Sequence, residues 1–349
     1  MSKLTLVASE DVTAWDALVR RSPQGTLFAE SSYQQAVGCP YERWDVVQGG
    51  VVKAGVCLQL SKDGRQVVGD ELVIYAGILF DLDPRRQPVK RRHDEFQIAE
   101  RVAAELAQRF DGVQLQLAPQ FGDVRPFLWH DYHQDAGNHY TVHLRFTSYL
   151  DISSLACSRG DPEAAEASEC FARMESVRRY GVREARRKGG IVRTASSGEQ
   201  LIAFYRALMT GQGEPPPLHT LDAMGRVMSS LIERGRGALF HVHDADDELL
   251  YCVMYGWDTK RAYYLFGAGS AARSAPWQGT LAHWAAFQHL AQEHGVREVD
   301  LEGVNSPQRG WFKLSFGGDL RPYYRLRLQR SSTAGDVSSL DPEGACRSL

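Results

Sequence analysis

Lys313 stands between Phe312 and Leu314. A lysine flanked by apolar side chains is partly desolvated, so its charge counts for more, and it can help a carbonyl or a leaving group electrostatically. Asp300 and Glu302 lie two residues apart in a strand-like run, on one face, and either can accept a proton. Asn305 follows, with an amide able to hydrogen-bond a ligand. Upstream, a loop around Pro276 and Gly279 leads into Leu281, Trp284, Phe287, Leu290 and Ala291, which recur at helical spacing, and Gly295 sits where a C-cap belongs. A helix that opens after such a loop offers unpaired N–H groups and a positive dipole end to an anion, a diphosphate included. An ordinary strand–helix–strand unit without a ligand is the plainer reading of the same residues.

Other stretches also invite function. Asp123-Val-Arg-Pro-Phe-Leu-Trp129 places an acid, a guanidinium and two aromatics where Pro126 predicts a loop. Arg125 could fork onto a phosphate or carboxylate, and Trp129 or Phe127 could stack on a base or sugar; a structural Asp–Arg pair with an aromatic plug is equally consistent. Gly77 interrupts the strand-like Tyr75–Phe80, marking either a close approach or a plain core strand. Residues 173–188 concentrate arginines, Arg178 and Arg179 among them, ahead of Gly189-Gly190. A solvated helix face explains that pattern, and so does a phosphate, nucleotide or RNA contact. His130, His133, His139 and His143 match no zinc spacing, and the pair His241 and His243 reads as one strand face; no metal is expected.

The 349 residues suffice for two domains with separate cores, and 43% hydrophobic with 24% charged residues is ordinary for a globular protein. A net charge of −3 gives no global basic character, so a nucleic-acid partner would need a local patch. No apolar run approaches the roughly 18–20 residues of a membrane span, and Met1–Val7 has no signal-peptide organisation. Six scattered cysteines without a Cys-x-x-Cys pair read as reduced thiols. A cytoplasmic protein with no stable membrane insertion is the expectation.

Along the chain, Asp11 precedes a short helix with Trp15, Leu18 and Val19, and Ser31 can cap a second around Tyr33–Val37. Strand-like runs at 44–48, 51–60 and 71–80 precede a helix over 93–110 and a strand over 113–117. Thr147–Asp151 opens a second half. There a long basic helix from Pro162 or Ser168 to Lys188 is predicted, then helices at 199–209 and 221–234 and a hairpin over the acidic turn 244–247. The tyrosine-rich strand 262–268 follows. Residues 331–349 are Ser/Gly-rich, with a disordered tail expected. No repeat shows at residue level.

Tyr263–Gly318, taken as strand, loop, helix, strand and an Asn-led segment ending in Phe312-Lys313 and Phe316-Gly-Gly318, resembles the core of the GNAT acyltransferases. With Asp300-Leu-Glu-Gly303 ahead of it, and an Arg-rich helix ending in glycine, it is similar to the Fem-type double-GNAT branch. Two features depart from the pattern. The tight Arg/Gln-x-x-Gly-x-Gly/Ala loop is replaced by Ala272–Gly279, and Trp311 stands where many members carry a tyrosine. The resemblance implies an α+β protein of two tandem GNAT-like domains, each a mixed, mostly antiparallel sheet flanked by helices. They would span 1–148 and 149–330, the second with the acyl-donor site.

That family implies an acyl group moved from an acyl thioester such as acyl-CoA to the amine of a nucleotide-linked amino sugar or cell-envelope saccharide precursor. The alternatives are a tRNA-dependent aminoacyl transferase acting on a peptidoglycan precursor and a non-catalytic binding protein. The chemistry needs amine deprotonation, in-line attack and oxyanion donors. Lys313, Glu302 and Asp300 are the catalytic candidates. Asn305, Phe312, Ser274, Gly279 and Thr280 are assigned to the donor, and Tyr75, Asp123, Arg125, Trp129, Arg178 and Arg179 to the acceptor. With no Ser-His-Asp grouping at usable spacing, direct transfer is preferred to a covalent intermediate.

Overall fold

A computed structural model describes residues 3–134 and 138–329, apart from the side chain of Gln308. In chain order the elements are β1 (Thr5–Ala8), α1 (Val12–Arg21), α2 (Ser31–Val37), β2 (Tyr41–Gln48), β3 (Val51–Gln59), β4 (Gln66–Val67), β5 (Gly77–Phe80), α3 (Pro88–Arg109), β6 (Gly112–Gln116), α4 (Arg125–Leu128) and β7 (Tyr140–Asp151). There follow α5 (Pro162–Glu166), α6 (Glu169–Arg173), α7 (Ser176–Arg187), β8 (Ile191–Ala195), α8 (Glu199–Gly211), α9 (Leu218–Glu233), β9 (Gly237–His243), β10 (Leu249–Trp257), β11 (Ala262–Gly269), α10 (Gln278–His294), β12 (Glu298–Asp300), α11 (Pro307–Leu314) and β13 (Asp319–Gln329). The chain divides into two compact units. Among the described residues, one takes 3–134, 138–145 and 322–329; the other is Phe146–Arg321.

In the first unit, β1, β2, β3 and β5 form an antiparallel sheet, while β6 pairs with β4 in parallel and with β13 antiparallel. Asp11 caps α1 by accepting from the Ala14 N–H at 3.0 Å, as its position predicts. Ser31 is not a cap; it is the first residue of α2, and its N–H and hydroxyl both donate to Asp16. α3 lays Ile98, Ala99, Val102, Ala103 and Leu106 on a core shared with Val113 and Leu115 of β6. Leu326 and Leu328 of β13 belong to that core as well. This corrects the expected end of the second domain at 330. The closing strand pairs Arg325–Gln329 with Gly112–Gln116, because its alternate apolar side chains find their burial in the first unit.

In the second unit the strand order is β7-β12-β11-β10-β9-β8, antiparallel throughout except for β11 with β12. α7 and α10 pack together, and Trp284, Phe287 and Leu290 of α10 bury against Phe240, Val253 and Tyr255. Gly295 ends α10 in the left-handed conformation, φ +62°. The single long basic helix expected over 162–188 is instead three short ones. Ser168 caps α6 through its Oγ, and Met174, extended at ψ 145°, breaks the chain again so that its side chain can be buried. The expected tail, 331–349, lies outside the described residues.

Candidate active site

β11 and β12 pair in parallel over only two positions, Ala262 with Val299 and Tyr263 with Asp300. Past Asp300 the chain keeps company with β7: the Leu301 N–H donates to the Ser148 carbonyl at 2.9 Å and the Val304 N–H to the Phe146 carbonyl at 3.1 Å. The two parallel strands thus separate after one short contact. β11 also carries a bulge. Tyr264 faces Tyr255 and Phe266 faces Met254, so Leu265 has no counterpart on β10. A bulge interrupts the ladder and re-aims the residues around it.

The charged groups predicted from sequence collect at this split. Lys313 is 6% exposed, donates to the Gly303 carbonyl at 3.3 Å and sits 4.8 Å above the Tyr264 ring. Burial pulls its pKa down to about 8, against the pull of Glu302 and Asp300. Glu302, also 6% exposed, adopts φ +53°, and its N–H donates to Asp300 Oδ1 at 2.8 Å. Its Oε1 is buried with no hydrogen-bond partner. Burial, aided by Asp300, holds the Glu302 carboxyl well above the usual range, and Lys313 opposes that rise. The left-handed turn at Glu302 departs from the regular strand face expected for the pair. Asp300, fully buried, accepts from Thr147 Oγ1 at 2.5 Å.

Lys313, unlike the two carboxyls behind it, forms part of the wall of a cavity of about 450 Å³. Tyr205, Leu208 and Met209 of α8 wall one side; Tyr251, Tyr264 and Gly267–Gly269 form the sheet side; His283, Arg309, Phe312 and Lys313 complete it. Tyr255 Oη and His283 Nδ1 lie 2.5 Å apart. Burial, with Lys313 and Arg178 nearby, drops the His283 pKa to about 3, so the imidazole is neutral at pH 7. The phenols of Tyr251, Tyr255 and Tyr264 are all pushed up by burial and keep their protons. Trp311, 61% exposed, is absent from the cavity wall. Sequence reasoning missed Tyr251, Tyr264, His283 and the three α8 residues. The double tyrosine Tyr263-Tyr264 was the one available signal, and it reads equally well as strand core.

Arg178, expected at the acceptor, lies at the mouth of α10. It reaches from α7 to the first turn of α10, donating to Thr280 Oγ1 and Ser315 Oγ, both at 2.8 Å, with its guanidinium 4.4 Å over the Phe312 ring. Burial lowers its pKa. Gly279, one residue away, lies against Phe312: a Cβ there would come within 3.3 Å of the ring. Arg178, Gly279, Thr280 and Phe312 are therefore one cluster at the mouth of α10. Arg179 instead donates to the Ala172 and Met174 carbonyls and closes the end of α6.

Other candidates are engaged elsewhere. Asn305 grips the Phe146 backbone both ways, accepting from its N–H at 2.8 Å and donating to its carbonyl at 2.9 Å, and so acts as a strand extension. Ser274 is exposed in the loop before α10. Tyr75 is 1% exposed, edge-on to Phe28 and Tyr323 in the core of the first unit, which leaves no face for an acceptor. Asp123 takes Arg125 in a fork at 2.8 and 2.6 Å, and the guanidinium lies over Phe96 and Trp129. Pro126 opens the short helix α4 there instead of holding a loop, as a proline in a first turn can. Trp129 remains 51% exposed. Among the described residues no group of three or more His, Cys, Asp or Glu could hold a metal, and no helix is long and apolar enough to cross a membrane.

Residues 172–310 match the model of the acetyltransferase (GNAT) domain. Comparison with curated proteins gives no match. The fold is similar to that of FemX at 14% identity, covering 92% of this chain and 96% of that one, TM-score 0.57. A tandem GNAT protein from the clavulanic acid biosynthesis pathway matches at 13% identity, 95% and 100% coverage and TM-score 0.54. The C-terminal domain of a putative lysylphosphatidylglycerol synthetase from Agrobacterium fabrum matches at 12%, 92% and 92%, TM-score 0.50. The match takes in β11, α10 and β12, the two parallel strands that part beside the buried Lys313 and the helix between them, so this stretch resembles a GNAT domain. The likeness of fold extends over more than nine-tenths of the chain.

Proposed function

We propose that the enzyme moves an acyl group from an acyl thioester, acyl-CoA being the first candidate, to the amino group of a nucleotide-linked amino sugar or a cell-envelope saccharide precursor. The observation that carries the choice of donor is the charge of the cavity. Its described lining holds two cations, Lys313 and Arg309, and no carboxylate. An aminoacyl donor brings a free ammonium, which such a lining repels; a plain acyl thioester does not. The Arg178–Thr280–Phe312 cluster at the mouth of α10 supports a donor phosphate.

In this reading Glu302 takes the proton of the attacking amine as the C–N bond forms. Lys313 stabilises the oxyanion and then gives a proton to the departing thiolate as the C–S bond breaks. One proton gained by Glu302 matches one lost by Lys313, so a single transfer between them restores the pair. Lys313 at about 8 is well matched to a thiol, whose ordinary value is about 8.5.

The competing donor is aminoacyl-tRNA. It is favoured by the loop before α10, where Arg273 is spent on Asp244 and Asp246 instead of facing a pyrophosphate. Thermal-shift measurements decide between them. Acyl-CoA should stabilise the protein, by about 2.7 kcal/mol at a hundredfold excess over Kd, and amine-dependent thiol release should follow with UDP-linked amino sugars. Stabilisation by aminoacyl-tRNA alone would overturn the donor, and response to neither would favour a binding protein.

A further inference from the structure

We infer that the cavity beside Lys313 selects an uncharged, apolar acyl group several carbons longer than acetyl, with Leu208 and Met209 of α8 as its end wall. The inference deepens the donor reading above and rests on it. A volume of about 450 Å³ is far more than a two-carbon group fills. The sheet side of the room is set by close approaches to the glycines of β11. A Cβ at Gly267 would fall 2.6 Å from Tyr264 Oη and 2.8 Å from Tyr251 Oη, and one at Gly269 would fall 2.8 Å from Gln278 Nε2. Both glycines let the Tyr251, Tyr264 and Gln278 side chains pack close against the strand, and Ala268 between them brings no more than a methyl to the lining. Tyr251 and Tyr264 hydrogen-bond each other, which satisfies their hydroxyls and leaves their rings as wall. Met209 is buried and Leu208 is 38% exposed, so the end wall is closed at Met209 and reaches solvent at Leu208. The α8 residues are spaced as an ordinary amphipathic helix, yet Tyr205, Leu208 and Met209 all turn toward this space.

The test is a calorimetric series on the full chain with acetyl-, butyryl-, hexanoyl-, octanoyl- and succinyl-CoA, and the same acyl groups on N-acetylcysteamine. Affinity should rise by about fourfold for each methylene added, then level off where the chain meets α8. Met209→Trp should pull the optimum toward shorter chains, and Met209→Ala should push it toward longer ones; the second variant serves should the first fail to fold. Equal affinity along both series, a preference for succinyl, or an optimum unmoved by either variant would overturn the inference. Flat but measurable CoA binding would remove the chamber while leaving the donor reading intact. Chain-length dependence on cysteamine without CoA binding would do the reverse, and silence from both series would remove both.

Discussion

Lys313→Met offers a test in which activity and stability move in opposite directions. Methionine keeps much of the side-chain volume and removes the charge. The lysine is 6% exposed, its hydrogen bond to the Gly303 carbonyl is long at 3.3 Å, and its ammonium lies 4.8 Å over the Tyr264 ring. Holding its pKa at about 8 instead of 10.5 costs the protonated form about 3 kcal/mol at 1.36 kcal/mol per decade. The folded pKa is the lower one, so the unfolded chain binds more protons between the two values. The wild-type penalty is therefore full below pH 8 and is relieved as pH rises from about 8 to about 10.5. Glu302, already pushed toward its neutral form by burial, can answer the loss of its partner by keeping its proton. The variant should be more stable than wild type at pH 7, by roughly 2–3 kcal/mol in urea unfolding, with the gap closing at high pH. Its kcat should fall about 10²–10³-fold while donor affinity holds, and the decline of wild-type kcat above about pH 8 should vanish from its profile. A variant that turns over normally, or one less stable at pH 7, would refute the assignment of Lys313 as a buried, strained proton donor.

Further substitutions separate chemistry from scaffold. Glu302→Gln should lower kcat by about 10²–10³-fold and abolish the rising limb of the pH profile, which in wild type should lie above the ordinary carboxylate range; an unchanged limb would clear Glu302 of the base role. Asn305→Ala should cost about 1–2 kcal/mol of stability through its two bonds to Phe146, with donor Kd unchanged by titration. Gly317→Ala meets both a φ of +87° and the Arg173 carbonyl, so it should destabilise by about 3 kcal/mol in thermal unfolding. Arg178→Lys should weaken donor binding about tenfold by calorimetry, since an ammonium cannot hold Thr280 and Ser315 while lying flat on Phe312.

How far such residues could be found from sequence depended on whether their signal was local. The apolar spacing of Leu281–Ala291 and the glycine at 295 describe α10 because a helix face and its cap are both written within one segment. Lys313 was legible for a similar reason: its apolar neighbours in the chain, Phe312 and Leu314, announce burial. Asn305 was not, because an amide serves a ligand or a backbone equally well, and only the approach of Phe146 from 159 residues away decides. Arg178 likewise reads as one more cation on a basic helix until Thr280 and Ser315 come to it, while Arg183 and Arg186 on the same helix are taken up by Glu166. The break at Met174 has no proline or glycine to mark it; burial of the side chain outweighs helix propensity there.

The site also carries an argument about why this arrangement is retained despite its cost. Two ionisable groups, Glu302 and Lys313, are buried where β11 and β12 separate, and each is held toward its neutral form chiefly by desolvation. A hydrophobic pair of the same volume would be more stable. In the proposed mechanism the value of the pair lies in shifts of opposite sign: a carboxyl raised by burial and an ammonium lowered by it can each change protonation in one turnover. Neighbouring groups are kept from competing for those protons. His283 is driven to about 3 and the three phenols are driven up, so at pH 7 neither imidazole nor tyrosine is ready to titrate. Under the proposed mechanism this aromatic shell leaves Glu302 and Lys313 as the acid–base couple. That separation predicts that the pH dependence of turnover will follow Glu302 and Lys313 alone, and that substituting His283 will alter stability and packing more than either limb of the profile.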